Sequence, residues 1–402
     1  MEKIKGGVCA PLGFKANGIH CGIRKNKTKE DLALVFAECD CSAAAVYTTN
    51  KVKGAPIAVT KENIANGYAR AIICNSGNAN TCNADGVQKA RRMCELAAQA
   101  TGISPEQVIV ASTGVIGQIL PIEPIQAGMP ALAAGLSREG EEAAARAIMT
   151  TDTVVKQFAA CDEIGGKSVR VGAMAKGSGM IHPNMATLLC FVTTDAEISP
   201  ALLDKALRAA VADTLNMVSI DGDTSTNDML TIMASGKSGA KISKAEGFEE
   251  FLALLKGVLT DVSRAIAKDG EGATRLLECE VTGAPDLFAA KKIAKSVICS
   301  SLLKAAISAA DANWGRVLCA IGYADAEFDI DKIDVDLCSK AGKIAVCRGG
   351  SGVPFDEDEA KKVLLPDEVR VLVNCNAGDA KATAWGCDLT CDYVKINADY
   401  RT

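Results

Sequence analysis

Histidine is almost absent from this sequence of 402 residues, and its scarcity limits the chemistry that the chain can carry out. The chain holds two histidines, His20 and His182. A zinc site built on three histidines or on a His-Glu-x-x-His pattern is therefore excluded, and a nucleophile activated by histidine has two candidate partners. Aromatic residues make up 4% of the chain, whereas glycine and alanine are abundant. This composition favours helices packed closely on sheets over an aromatic-rich β-sandwich.

Runs of one charge and long apolar stretches are also missing. The 44 basic and 49 acidic side chains are mixed along the chain and give a net charge of −5. Proteins that bind by wrapping nucleic acid need a basic surface, so a nucleic-acid partner is not expected. No apolar stretch reaches the roughly 20 residues that span a bilayer, and the first residues lack the apolar core of a signal peptide. We therefore expect a cytoplasmic protein without a membrane partner.

The cysteines lack the pairing that a metal site or a disulfide framework requires. The chain has 17 of them, scattered and without a single Cys-x-x-Cys pair. Paired cysteines or histidines at ligand spacing mark a structural metal site, so no metal site is predicted. Most of the thiols are expected to be small buried hydrophobes in a reducing compartment.

Helical and strand patterns alternate along the whole chain. Apolar residues at three- and four-residue spacing predict amphipathic helices. These helices lie at 86–101, at 199–215 with Ser199 as N-cap, and at 247–268. Short apolar and β-branched runs predict strands at 108–110, 169–171, 188–192 and 369–373. The mixture indicates the α/β class, with layered sheets and helices.

The most unusual segment is KGSGMIHPNMAT, residues 176–187, which runs into an apolar strand. Its glycines make a flexible approach, and the start of a rigid strand is a good place to fix a nucleophile such as Thr187. Cleavage of the backbone just before Thr187 would release an α-amino group, whose reference pKa of roughly 7.7 to 8 suits a base. From these residues alone, a phosphate-binding glycine loop or a plain loop before a strand remains the simpler explanation.

The segment resembles the self-cleavage site of the ornithine acetyltransferase family, the bifunctional glutamate N-acetyltransferases of arginine biosynthesis. The resemblance extends almost from end to end, because further family motifs follow one another in order. These are GFKANGIHCGIRK at 13–25, TTNKVKGAP at 48–56, NSGNAN at 75–80, STGVIG at 112–117, TTDT at 150–153, DGDTSTND at 221–228, DGEGATRL at 269–276, NWGR at 313–316 and the terminal YVKINADYRT. Any one of them is a weak signal, whereas this many in order are highly specific.

The resemblance implies a self-processing enzyme with a fold like that of the N-terminal-nucleophile proteins. The bond between Ala186 and Thr187 would break autocatalytically, giving an α chain of residues 1–186 and a β chain of residues 187–402 in an α2β2 heterotetramer. Thr187 would then carry acetyl from N2-acetyl-L-ornithine to L-glutamate. This exchange of one amide for another needs no cofactor and no metal. The sequence leaves open whether acetyl-CoA is a second donor.

The resemblance also assigns roles at the site. Thr113 and Gly114 would stabilise the tetrahedral oxyanion, because a hydroxyl can donate to it and a glycine lets a backbone N–H come close. The substrates would be held by hydroxyl, ammonium, carboxylate and amide groups. The residues that supply them are Thr150, Lys176, Thr187, Glu271, Asn397 and Thr402. Without the family, a helix cap at Thr150, a solvated Lys176 and a surface turn at Glu271 are the simpler interpretations.

Two other functions stay open at this point. A self-processed N-terminal-nucleophile hydrolase or aminopeptidase would share the cleavage and the nucleophile, but water instead of an amine would reach the acyl-enzyme. A ligand-binding α/β protein without catalytic activity would never cleave itself.

The acidic motif DGDTSTND resembles a calcium loop in composition. It lacks the twelve-residue spacing and the final glutamate of an EF-hand. We expect it to form turns and to pack near the site.

Overall fold

The computed structural model describes residues 1–182 and 188–398. In this part of the chain, strands and helices alternate. The strands are β1 (Glu2–Ile4), β2 (Phe14–Ile19), β3 (Leu32–Tyr47), β4 (Tyr68–Asn75), β5 (Val108–Ser112), β6 (Lys156–Ile164), β7 (Lys167–Lys176), β8 (Leu189–Thr194), β9 (Glu197–Ile198), β10 (Met229–Ala234), β11 (Lys241–Ile242), β12 (Leu276–Ala284), β13 (Asp334–Ser339), β14 (Gly342–Arg348), β15 (Ser351–Gly352), β16 (Glu368–Asn374) and β17 (Ala380–Cys387). The α-helices are α1 (Ala55–Asn63), α2 (Gly86–Thr101), α3 (Ile122–Ala134), α4 (Glu141–Ile148), α5 (Pro200–Asp213), α6 (Phe248–Lys268), α7 (Leu287–Cys299), α8 (Ser301–Ser308), α9 (Trp314–Gly322), α10 (Glu357–Leu364) and α11 (Cys391–Ala398).

The larger sheet is built around one long strand, β3, which has 16 residues. Its first part, residues 32–36, pairs with β4, and its last part, residues 42–47, pairs with β10. The strand order is β1-β6-β7-β8-β10-β3-β4-β5, and β2 pairs with β3 as well. The β8–β10 and β4–β5 pairs are parallel. Because β3 takes part in both halves, it joins them into one sheet.

Strands from both halves of this sheet contribute side chains to one buried apolar cluster. Ile72 on β4, Ile109 on β5, Phe191 on β8 and Met229 on β10 belong to it, and each is at most 1% exposed. Burying a side chain of this size contributes roughly 1.5–3 kcal/mol relative to leaving it in water. This packing brings the loops that follow β4 and β5 to the ends at which β8 and β10 begin.

A second sheet lies in the C-terminal half, with the strand order β15-β14-β13-β16-β12-β17. Helix α6 contacts strands of both sheets, β6 and β7 in the first and β12 and β17 in the second. Its apolar side chains recur at helical spacing and are buried, as the pattern at 247–268 predicts. One buried cluster therefore runs through both sheets.

The predicted elements are confirmed, with ends shifted by a few residues. The helix predicted at 86–101 is α2, and it ends at Gly102, whose φ of 71° gives a left-handed C-cap. The helix predicted at 199–215 is α5; Ser199 stands at its N-cap without a hydrogen bond to its side chain. The apolar run at 188–192 contains most of β8, in which every residue is buried. The α/β class with layered sheets and helices is confirmed.

The cysteines are free thiols. All 17 lie in the described part of the chain, and most of them are buried, as expected. Within residues 1–182 and 188–398, no group of three histidine, cysteine, aspartate or glutamate side chains is arranged to hold a metal ion. No helix in the same part of the chain combines the length and apolarity needed to cross a membrane.

Candidate active site

The chain just before residue 183 is held in place by the motif DGDTSTND. The carboxylate of Asp221 accepts hydrogen bonds from the backbone N–H groups of Met180, at 2.6 Å, and Ile181, at 2.9 Å. The hydroxyl of Thr224 donates to the carbonyl oxygen of His182 at 2.9 Å. The motif therefore packs against the segment that leads to the expected cleavage site, which is the role expected of it.

The strands on either side of this segment are neighbours in the large sheet. Strand β7 ends at Lys176 and β8 begins at Leu189, and these two residues are directly paired. On its other side β8 lies beside β10, and the N–H of Met229 donates to the carbonyl oxygen of Leu188 at 2.9 Å. The edge at which β8 begins is therefore flanked by Lys176 and Met229.

Three of the expected site residues, Ala186, Thr187 and Thr402, lie outside the described residues. Covalent geometry still limits where the reaction can take place. Thr187 is bonded to Leu188, so their Cα atoms are about 3.8 Å apart across a trans peptide bond. The other residues predicted for the site should therefore lie around Leu188.

Lys176 is buried beside a network of charges, with 8% of the residue exposed. One oxygen of Asp152 accepts hydrogen bonds from the N–H of Gly177 and from Nζ of Lys156, each at 2.7 Å. Its other oxygen accepts the N–H of Thr150 at 2.9 Å. A single carboxylate thus joins the Thr150 loop to the end of β7, which brings two of the predicted substrate-binding residues together.

Burial and charge compete in this network. Burial alone would raise the pKa of Asp152, but the charges of Lys176 and Lys156 outweigh it and hold that pKa below its usual range. For Lys176 the loss of hydration is the largest effect and lowers the pKa, while the carboxylates of Asp152, Asp228 and Glu271 act in the opposite direction. A buried ammonium of this kind would be stabilised by an added anion, such as the carboxylate of an amino acid.

Thr113 and Gly114 form the turn that follows β5. The N–H of Thr113 donates to the carbonyl oxygen of Asn75 at 3.0 Å. Gly114 has a φ of +128°, and a Cβ added to it would lie 2.4 Å from the carbonyl carbon of Gly77 and 2.6 Å from the nitrogen of Asn78. The turn therefore requires glycine at this position, both for its backbone angle and for space.

This turn is tied to the start of β10 by a buried amide. The side chain of Asn227 donates to the carbonyl oxygen of Ser112 at 2.9 Å. Asn227 stands two residues before Met229, whose N–H binds Leu188. The structure thus places the Thr113 turn close to the strand end at which Leu188 lies.

Glu271 and Asn397 meet although they are 126 residues apart, and Nδ2 of Asn397 donates to Oε2 of Glu271 at 2.8 Å. Glu271 is 8% exposed, and its N–H donates to the carbonyl oxygen of Ser178 at 2.9 Å. A Cβ added to Gly179 would lie 2.3–2.4 Å from the carboxyl atoms of Glu271. Glu271 therefore lies against the KGSG segment, residues 176–179, where its carboxyl group occupies space that Gly179 leaves open, and Asn397 contacts that carboxyl group.

Sequence reasoning missed the ion network below this site. Nζ of Lys156 pairs with the carboxylates of Asp152 and Asp269, and the N–H of Thr153 donates to Asp269 at 3.1 Å. The network joins the motifs TTDT and DGEGATRL. Asp152 and Asp269 stand inside those two motifs, so the motifs could have indicated that both carboxylates lie near the site. Lys156 is the first residue of an ordinary strand pattern, and nothing in the sequence around it indicated that it would be buried in an ion pair.

His182 already has partners within the fold. Its Nδ1 lies 3.0 Å from Oγ of Ser219 and 3.8 Å from Sγ of Cys299. Burial, with the charge of Lys295 as a smaller cause, lowers the pKa of His182 to about 4. The imidazole is therefore uncharged at pH 7, and one of its nitrogens contacts a hydroxyl.

Comparison with known proteins shows to which family the chain belongs. The sequence profile of the ArgJ family matches residues 15–402. The chain belongs to the ArgJ family. One relative is the arginine biosynthesis bifunctional protein ArgJ from Symbiobacterium thermophilum. It is 50% identical over 406 aligned residues, and the alignment covers all of this chain and all of the relative. A second protein of that name, ArgJ 1 from Clostridium acetobutylicum, is 49% identical over 97% of this chain and 96% of its own.

A solved ArgJ structure is similar as well. The crystal structure of the arginine biosynthesis bifunctional protein ArgJ from Bacillus halodurans is 43% identical, with a TM-score of 0.50. The match covers 52% of this chain and 98% of that chain, so the solved ArgJ chain is about half as long as this one. The ArgJ assignment confirms the family resemblance that the sequence motifs indicate.

Proposed function

We propose that the protein is a glutamate N-acetyltransferase of arginine biosynthesis, which moves acetyl from N2-acetyl-L-ornithine to L-glutamate through an acetyl-Thr187 enzyme. The observation that carries the proposal is the gathering of the predicted residues around one strand end. Lys176 pairs with the first residue of β8, the Thr113 turn is tied to β10, and Glu271 meets Asn397 beside the KGSG segment. The names of the ArgJ relatives, which refer to arginine biosynthesis, support the same conclusion.

The first step is self-cleavage between Ala186 and Thr187. The hydroxyl of Thr187 attacks the carbonyl carbon of Ala186, the peptide nitrogen leaves as an α-amine, and water hydrolyses the resulting ester. The products are an α chain, residues 1–186, and a β chain, residues 187–402. The half-length chain of the Bacillus halodurans structure supports an enzyme processed into two pieces.

In the mature enzyme the same hydroxyl attacks the acetyl carbonyl of N2-acetylornithine. The α-amine of Thr187 accepts the hydroxyl proton, and the hydroxyl of Thr113 and the N–H of Gly114 stabilise the oxyanion that develops. Ornithine leaves, and the amine of glutamate then attacks the acetyl ester. One amide is exchanged for another, so the reaction as proposed needs neither a metal nor a cofactor.

The charges of the site complement the donor substrate. The ammonium of Lys176 would bind the α-carboxylate, and the carboxylate of Glu271 would bind the side-chain ammonium of ornithine. Thr150, Asn397 and Thr402 would add hydrogen bonds. These assignments use two groups of opposite charge: Lys176 is the first residue of the KGSG segment, and Glu271 lies against its last residue, Gly179.

The assembly and a second activity complete the proposal. The α chain would contribute β7 and the β chain would contribute β8, which pair along their length, so both pieces would stay associated. Two such pairs would form an α2β2 heterotetramer. The word bifunctional in the relatives' names supports a second activity, for which we propose acetyl-CoA as the donor of acetyl to glutamate.

Incubating the purified protein with N2-acetylornithine alone tests the mechanism. Mass spectrometry should find one added acetyl group on the fragment that begins at Thr187, and glutamate should then remove it as N-acetylglutamate. Replacing N2-acetylornithine with acetyl-CoA tests the second donor. The variant Thr187→Ala should remain one chain and take up no acetyl.

Three results would contradict this proposal. The first is an uncut wild-type chain that transfers acetyl at full rate. The second is intersecting double-reciprocal plots without an acetylated fragment, because a covalent intermediate requires ping-pong kinetics. The third is rapid loss of the acetyl group to water without N-acetylglutamate, which would favour a hydrolase.

A further inference from the structure

Two lysine-bearing loops contact the NSGNAN loop, residues 75–80, which is itself bridged to the Thr113 turn. The first loop spans residues 21–29 and the second spans residues 48–54. Their five lysines are exposed, and in the described part of the chain none of them forms an ion pair with a carboxylate. We call these five side chains the lysine rim: Lys25, Lys27, Lys29, Lys51 and Lys53.

The first loop lies against the substrate-binding part of the site. The guanidinium of Arg24 donates to the carbonyl oxygen of Met149, the residue before Thr150. A Cβ added to Gly77, in the NSGNAN loop, would lie 2.8 Å from Cγ of Arg24. The carboxylate of Asp31 fixes this loop by accepting three backbone N–H groups at 2.6–3.2 Å. The three lysines of the loop therefore stand next to the Thr150 loop.

The second loop is held against the DGDTSTND motif. Nδ2 of Asn50 donates to the carbonyl oxygen of Thr224 at 2.9 Å. The N–H of Ala55 donates to the carbonyl oxygen of Asn80, the last residue of the NSGNAN loop, at 3.1 Å. Both lysines of this loop stand between these two anchors. The two loops thus reach the NSGNAN loop at its Gly77 turn and at its end, and together they border the Thr113 turn.

The carboxylates nearest to the rim leave most of its charge uncompensated. Glu30, just after the first loop, pairs with Arg146 at 3.0 Å. The carboxylate of Asp31 is buried and is used by backbone N–H groups. Asp223, in the DGDTSTND motif, is exposed and offsets part of the charge. Because the whole chain has a net charge of −5, the rim is basic against the overall balance.

We propose that the lysine rim binds the phosphate groups of a phosphorylated thioester donor of the acetyl-CoA class. The inference rests on the proposed function, in which acetyl-CoA is the second donor. Phosphate groups are negatively charged at pH 7 and are bound by lysine as a point charge. N2-acetylornithine has no net charge, because its carboxylate and its ammonium cancel, so that donor needs no such rim.

The length of a CoA thioester suits a rim outside the reaction centre. A flexible pantetheine arm separates the phosphates from the acetyl group, so the phosphates can stay at the surface while the acetyl group enters the site. The hydroxyl oxygen of Thr187 would bond to the acetyl carbon, the C–S bond would break, and the thiol would leave with the hydroxyl proton. The step balances without another reactant.

Ionic strength tests the inference on the wild-type enzyme. The Debye length falls from about 10 Å at 0.1 M salt to about 3 Å at 1 M, so added salt weakens attraction between exposed charges. With glutamate as acceptor, kcat/KM for acetyl-CoA should fall steeply as sodium chloride is added, whereas kcat/KM for N2-acetylornithine should change little. S-acetylpantetheine, which has the same thioester without phosphates, should be a poorer donor than acetyl-CoA and should lack the salt dependence.

Neutralising the rim should act on one donor only. A variant that combines Lys25→Gln, Lys27→Gln, Lys29→Gln, Lys51→Gln and Lys53→Gln should lower kcat/KM for acetyl-CoA by roughly 10- to 10³-fold, the range of electrostatic steering. Its kcat/KM for N2-acetylornithine and for S-acetylpantetheine should equal the wild-type values. Normal transfer from N2-acetylornithine shows that the variant is folded.

A triple variant provides a control matched in charge. Lys25→Gln, Lys27→Gln and Lys29→Gln together should lower kcat/KM for acetyl-CoA. Changing three exposed lysines without an ion pair in other parts of the described chain removes the same charge and should leave it unchanged. These control changes are Lys244→Gln, Lys361→Gln and Lys381→Gln.

Each part can fail separately. A salt-independent kcat/KM for acetyl-CoA in the wild type would overturn the rim, even if the variants fail to fold. Equal use of acetyl-CoA and S-acetylpantetheine, or equal effects of the two triple variants, would overturn it too. In these cases acetyl-CoA would remain a donor. A wild-type enzyme that takes no acetyl from acetyl-CoA, but transfers it from N2-acetylornithine, would remove the second donor and the rim together.

Discussion

Asn397 orients the carboxyl group of Glu271 through a hydrogen bond of 2.8 Å from Nδ2 to Oε2. The two residues come from different parts of the fold, since Asn397 stands on the last described helix, α11, and Glu271 follows α6. Helix α11 has no buried residue of its own. Hydrogen bonds to side chains such as Asp221 and Glu271, and not burial in the core, therefore help to hold this helix in place.

Removing the charge of Glu271 should weaken binding of one substrate in particular. In Glu271→Gln the side chain can no longer pair with the ammonium of ornithine, so KM for N2-acetylornithine should rise by roughly 10- to 100-fold, from the 1.5–3 kcal/mol of a hydrogen bond to a charged group. Steady-state kinetics on both half-reactions measure the change. Glu246→Gln, an exposed site on the same chain, serves as the control. An unchanged KM for N2-acetylornithine would remove Glu271 from the site.

The hydroxyl of Thr113 should matter in the transition state more than in substrate binding. Thr113→Val keeps the shape but removes the donor, so kcat should fall by roughly 10²- to 10³-fold, with KM nearly unchanged. Thr113→Ser keeps a hydroxyl and should recover most of the rate. Equal activity of the valine and serine variants would show that this hydroxyl does not stabilise the oxyanion.

The absence of a side chain at Gly179 should be essential for the position of the Glu271 carboxyl group. In Gly179→Ala the new methyl group would lie 2.3–2.4 Å from the carboxyl atoms of Glu271, so the carboxyl group would have to move. We expect KM for N2-acetylornithine to rise at least as much as in Glu271→Gln. Gly322→Ala is the matched control, because no atom lies within 4 Å of its added Cβ. Normal kinetics for Gly179→Ala would mean that the carboxyl group can bind substrate from another position.

The buried imidazole of His182 should make stability depend on pH. Burial lowers its pKa to about 4, whereas the unfolded chain takes up this proton near the reference value of about 6.5. Between these values the unfolded state binds more protons, so the free energy of unfolding should decrease as the pH falls from about 6.5 towards 4. Urea unfolding at pH 7.5 and pH 5, in the uncut Thr187→Ala chain, measures the difference.

His182→Gln, made in the same background, should reduce this difference between the two pH values. Changing His20 instead controls for the loss of an imidazole elsewhere in the chain. If His182→Gln keeps the full pH dependence, other groups must cause it.

The regular elements were predictable because their signal is local. Helix α6 repeats apolar residues at helical spacing and stops beside Asp269 and Gly270, so its pattern needs no knowledge of the rest of the chain. The order of the large sheet has no such signal. It depends on β3 pairing with β4 along one part and with β10 along another, and a strand pattern does not reveal its partners.

The site was predictable to the extent that family motifs carry it. Glu271 and Asn397 stand in separate motifs that the resemblance assigns to the substrate site, and the structure brings the two side chains into contact. The ion pairs that hold the loops of the site in place were not predictable from the sequence. Lys156 is the first residue of a strand, where a lysine suggests solvent, and its burial depends on pairing with Asp269, 113 residues away. Thr150 was expected to offer a hydroxyl, whereas its backbone N–H is what binds Asp152.

The pairing of β7 with β8 has a consequence for how the molecule reassembles. These strands stand on opposite sides of the proposed cut, and β8 in turn lies beside β10 in the same sheet. The precursor can form this sheet as one chain, at a rate that does not depend on its concentration. After the cut, two separate polypeptides must find each other before the same ladder can form, so recovery from unfolding becomes second order and slows on dilution. Self-cleavage would therefore turn a reversible fold into one that, once lost in dilute solution, is regained slowly.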